Sequence, residues 1–164
     1  MRQAILGFCV FAAACSSQPV SPAAPSVVGG GSGTQMLVKR GGSNVEVTFT
    51  KWLPTFPTLA GVTGGDVPGT FAGEVLDFVD NGTVAKVKAR YEVIGSNAGR
   101  SFVALVEGTQ NNQTQKAVLN GTVVEGWLAG ARVHATFDVI SPCPEFGKSV
   151  CFTGVIRVMS GSSN

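Results

Sequence analysis

The stretch TFAGEVLDFVDNGTVAKVKARYEV, residues 70–93, decides the fold. Both halves are rich in β-branched and aromatic residues, and they meet at Asp80-Asn81-Gly82. Asn-Gly is a strong hairpin signal, because the central positions of a tight hairpin turn need positive φ, which these residues tolerate. The second half alternates without a break. Lys86, Lys88, Arg90 and Glu92 share one face with Val84, while Ala85, Val87, Ala89, Tyr91 and Val93 share the other. Successive side chains of a strand point to opposite sides. Thr83–Val93 is therefore expected to be an antiparallel strand with one solvated face and one face of mainly small apolar groups.

The same rhythm continues on both sides. Upstream, Val45–Trp52 alternates, with Val45, Val47 and Phe49 opposite Glu46, Thr48 and Thr50. Downstream, Ser96-Asn97-Ala98-Gly99 turns the chain into Ser101–Thr109, and Asn111-Asn112-Gln113 turns it into Lys116–Glu125. Ala131–Ile140 and Cys151–Met159 complete seven strands, and a short one over Gln35–Lys39 would make eight. Leu53–Gly69 carries Pro54, Pro57, Pro68 and several glycines, which predicts a long irregular loop. No window has an apolar pattern at helical spacing with capping signals. Strands joined to their sequence neighbours predict an all-β, up-and-down antiparallel barrel of about eight strands, because closure leaves no exposed edge. A two-sheet β-sandwich is the alternative.

The 164 residues leave room for one domain and a leader. Residues 1–14, MRQAILGFCVFAAA, have the positive start, apolar run and small-residue end of a signal peptide. Residues 15–35 are mostly Ser, Pro, Ala and Gly with no charge and no apolar period, a composition expected to stay disordered and act as a tether. Residues 36–164 then form the single barrel domain. The formal charge of +2 and the lack of a basic cluster exclude an electrostatic footprint for nucleic acid.

Of four cysteines, Cys9 lies in the leader and Cys15 at its boundary. Cys143 and Cys151 flank one short loop, which in an exported protein predicts a structural disulfide. Two thiols and one histidine leave a metal site short of ligands, so no metal is expected. His134, the one histidine, alternates with Arg132, Thr136 and Asp138 on the polar side of its strand. Without a Gly-x-Ser-x-Gly in the folded part, no catalytic residue or cofactor is assigned. The carboxylates that interrupt apolar faces are Asp77, placed by alternation with Phe71 and Val75, Glu74, placed with Leu76 and Phe78, and Glu107. Tyr91 is the stronger lumen candidate, since a phenol on an apolar face needs a polar partner. Trp127, among Gly126 and Gly130, is placed to cap a barrel end.

Two resemblances add to this. Ala13-Ala14-Cys15-Ser16-Ser17 resembles a bacterial lipoprotein signal, although Ala12 stands where that family usually has Leu. The resemblance implies a lipid on Cys15 and a membrane-anchored place in the cell envelope; ordinary cleavage after Ala14 would leave a secreted protein. Gly69–Val75 and Leu119–Trp127, with the order of strands, resemble exported bacterial proteins. In layout they are distantly similar to the small allene oxide cyclase and lipocalin-like barrels. That layout implies a barrel with space for an apolar cavity. Two functions follow. One is an envelope-anchored structural or interaction barrel with a filled core and an envelope protein as partner. The other is a module that binds a small apolar, lipid-like ligand among Val87, Ala89, Tyr91, Phe102 and Phe137. A lumen-based isomerase or cyclase is the third, weaker option.

Overall fold

The computed structural model describes residues 44–161. The leader, the tether, Cys15 and the strand expected at 35–39 lie outside the described residues. The chain forms eight strands: β1 (Asn44–Thr55), β2 (Thr58–Gly65), β3 (Gly69–Asp80), β4 (Val84–Gly95), β5 (Phe102–Asn111), β6 (Lys116–Gly126), β7 (Arg132–Ile140) and β8 (Cys151–Met159). Each pairs antiparallel with the next, and β8 pairs with β1, so the sheet closes into an up-and-down barrel. At the seam Val47 lies between Gly65 of β2 and Ile156 of β8.

The region from Leu53 to Gly69 departs from its expected loop. β1 continues to Thr55, the chain turns at Phe56-Pro57, and β2 returns beside β1. The prolines stand where no ladder is broken: Pro54 lies in a register irregularity between Trp52 and Thr55, and Pro57 and Pro68 lie in turns. The glycines are strand residues at points of close approach. A Cβ on Gly61 would lie 2.3 Å from the Thr50 carbonyl oxygen. Strong coiling of a small barrel thus demands glycine inside a strand, and composition alone mistakes it for a loop.

Alternation around the ring places apolar side chains inward. The half of the lumen near the start of β1 is filled by Val45, Val47, Val93, Phe102, Leu119, Val133, Ile156 and Val158, all buried. Val67, in the β2–β3 turn, is buried beneath this end, and Trp127 and Leu128, in the β6–β7 turn, pack on the same core. This end is closed, and because the strand number is even, β1 starts and β8 ends there.

The outer face carries ion pairs beside exposed apolar side chains such as Val62, Leu105 and Val118. Glu46 pairs with Arg157 at 3.0 Å, Arg90 with Glu92 at 3.1 Å and Lys116 with Asp138 at 2.8 Å. An apolar lumen is the reverse of the polar interior of membrane-spanning barrels. Glu74, Asp77 and Glu107 are exposed. For Asp77 this corrects the simple alternation. The β3–β4 register shifts between Val75 and Asp77, so Leu76 is an extra residue, Asp77 comes to face Lys88, and Phe78 turns inward opposite Val87.

Cys143 and Cys151 are disulfide-bonded, with Cα atoms 5.8 Å apart. The loop that they close lays Phe146 on the outward-facing Trp52, ring centroids 5.3 Å apart.

Candidate functional site

The inward alternation of β1 runs Val45, Val47, Phe49 and then Lys51. Lys51 is only 3% exposed, the one buried charged residue among those described. Its position follows from the period of two. Trp52 and Thr50 face outward, so Lys51 must enter the lumen. Its ladder partners are Gly61 on β2 and Phe152 on β8. Gly61 adds no side chain on that flank.

The Lys51 Nζ hydrogen-bonds the Tyr91 hydroxyl, which comes from β4 across the barrel. Tyr91 likewise has a glycine partner, Gly73 on β3. Aromatic rings surround the amine. Its Nζ lies 3.8 Å from the Tyr91 ring centroid, 4.5 Å from that of Phe137, 5.1 Å from Phe49 and 5.4 Å from Phe71. Cation–π attraction of this kind offsets part of the cost of burying an ammonium. Among the described residues no carboxylate lies within ion-pair distance of it. Burial without a counter-charge therefore dominates and holds the Lys51 amine well below its usual range, toward the neutral form. The same burial pushes the Tyr91 phenol up, so it stays protonated.

Above this pair the lumen is not filled. A cavity of about 290 Å³ extends from Lys51 and Tyr91 toward the end opposite the closed one. Leu59, Val75, Val87, Ala89, Phe137 and Phe152 line its walls. Leu53, Phe56 and Phe78 form a half-open rim, and Phe56 is 64% exposed. Gln110 is the third polar lining residue, with its amide donating to Asn112 Oδ1 at 3.1 Å.

Four of the five residues expected at a ligand site line this cavity: Val87, Ala89, Tyr91 and Phe137. Phe102 does not. It opens β5 at the closed end, where it is buried opposite Val93 and Gly126. Lys51, unassigned from the sequence, lies one step further along the alternation drawn through Phe49. His134 lies on the outer face, its Nδ1 2.8 Å from Asn120 Oδ1. Among the described residues no three His, Cys, Asp or Glu side chains gather as a metal-holding group.

The site thus pairs an amine poised to be neutral with a protonated phenol, at the floor of an apolar cup. It offers a nucleophilic or proton-accepting nitrogen, a donor O–H and a water-poor wall. No family model matches this chain, nor does any curated protein or solved structure.

Proposed function

We propose that this chain is a binding module whose barrel takes up one small, mainly apolar molecule with a single polar group, oriented by Lys51 and Tyr91. The observation that carries this reading is the unfilled half of the lumen, apolar except at its floor and rim. A cavity of about 290 Å³ is roughly twice the size that holds benzene in an apolar protein core. It falls near the lower bound of small-molecule pockets, which combine apolar walls with a few placed polar groups.

An interaction barrel using only its outer surface gains nothing from this space. Filling it with larger side chains would add dispersion contacts, and replacing an uncompensated lysine by an apolar residue would remove a desolvation cost. Keeping both is intelligible if the space is used. The lipoprotein-like signal at Ala13–Ser17 adds a second proposed element, a lipid on Cys15 that holds the barrel in a bacterial envelope.

Native mass spectrometry of the purified protein, before and after organic extraction, tests the binding reading. The expected result is a discrete extractable adduct, or a rise in melting temperature with small apolar alcohols and aldehydes. A bare mass with no thermal shift across such a panel would overturn it.

A further inference from the structure

We infer that Lys51 is a nucleophilic amine that captures an apolar aldehyde or ketone in the barrel as a reversible imine, with Tyr91 relaying the protons. The inference rests on the cavity reading above and says what the polar group of the ligand is.

Three observations converge on it. The Lys51 Nζ is buried, lines the cavity and has no carboxylate partner among the described residues. Its hydrogen-bond partner among the described residues is a phenol that stays protonated, so an O–H donor stands beside the amine. The walls above are hydrocarbon. A carboxylate ligand would carry a full charge through a hydrocarbon-lined space. A carbonyl compound enters uncharged. A neutral desolvated lysine is the form that attacks carbonyl carbon.

The step balances within these groups. The nitrogen lone pair forms a C–N bond as the C=O π pair moves onto oxygen. That oxygen takes the Tyr91 phenolic proton as the nitrogen passes one of its own to the same phenolic oxygen, so no free phenolate builds up. The carbinolamine hydroxyl then leaves as water with the Tyr91 proton while the nitrogen lone pair forms C=N. The remaining nitrogen proton restores the phenol. Amine and carbonyl become imine and water, with no oxidant or reductant consumed. Exclusion of bulk water from the floor favours the imine over hydrolysis.

The chain carries its own controls, since Lys86, Lys88, Lys116 and Lys148 are exposed. The test treats the protein at neutral pH with octanal and cyanoborohydride, then maps alkylated lysines by peptide mass spectrometry. Binding of octanol, which has no carbonyl, is followed in parallel by thermal shift. Expected is labelling of Lys51 at least about tenfold above any exposed lysine, because an ordinary lysine is almost wholly protonated at this pH. Lys51→Met should remove that label while a melting curve shows the barrel still folded. Tyr91→Phe should slow labelling about a hundredfold, the scale of a lost general acid, with Lys51 still the labelled lysine. Octanol binding without Lys51 labelling would overturn the imine and leave the cavity reading standing. So would Lys51-dependent binding of octanoate with no label from octanal, which would make the head a carboxylate. Absence of both octanol binding and label would overturn both readings.

Discussion

At the scale of single residues, the decisive feature is a lysine where alternation calls for a hydrophobe. Desolvation keeps the Lys51 amine below its usual range, and this has a thermodynamic consequence. Between its folded and unfolded pKa values the unfolded chain binds a proton that the folded chain does not. Stability therefore rises with pH through that window, by up to about 1.4 kcal/mol per pH unit, and levels off above about pH 10.4, the unfolded value. Tyr91 works in the opposite sense. Its phenol is pushed up on folding, so the stability that it contributes is present below about pH 10 and is lost as pH rises beyond it. Lys51→Met should stabilise the barrel at neutral pH by about 1–3 kcal/mol, the cost of a poorly compensated buried polar group. Urea titrations at several pH values should show that advantage shrinking toward pH 10. An advantage independent of pH would mean that the amine is as protonated in the fold as in water.

At the scale of elements, β2 and β3 carry what alternation and composition misjudged. Proline and glycine density marked Leu53–Gly69 as a loop, yet Gly61 is a strand residue, held to glycine by the Thr50 carbonyl oxygen. Gly61→Ala should therefore cost about 1–3 kcal/mol, the scale of an overpacked interior, measurable by chemical denaturation. A neutral effect would mean that β1 and β2 separate easily beside Lys51. The bulge at Leu76 could not be placed from alternation, because an inserted residue is visible only once the partner strand fixes the register. Strand β4, by contrast, was legible in full. Its five inward residues and its charged outer row follow from period two alone, and three of those five line the cavity. The Cys143–Cys151 loop was legible from spacing. Replacing both cysteines by serine should cost about 2–3 kcal/mol in the chain-entropy view and loosen Phe146 from Trp52, which tryptophan fluorescence would report.

At the scale of the whole molecule, eight strands make a barrel wide enough to be filled or to hold one small guest. Whether it is filled depends on the sum of inward side chains, a three-dimensional quantity that no single strand reveals. Here the division runs along the axis. Valines, with Phe102, Leu119 and Ile156, fill the closed half, while small residues such as Ala89, with Gly61 and Gly73 beside the polar pair, leave the other half open. Ala89→Leu should extend into that space and abolish uptake of a small apolar molecule while leaving the fold at least as stable. Isothermal calorimetry with octanol and a melting curve would check both. Retained uptake would place the guest elsewhere.

The parity of the strands has a practical consequence. Because both described ends of the chain leave from one pole, a bead, support or fusion partner joined at residue 44 or 161 meets the floor and leaves the rim free to exchange solutes. A graft in the Asp80–Thr83 or Asn112–Gln115 turns, at the other pole, would stand over the opening like a stopper.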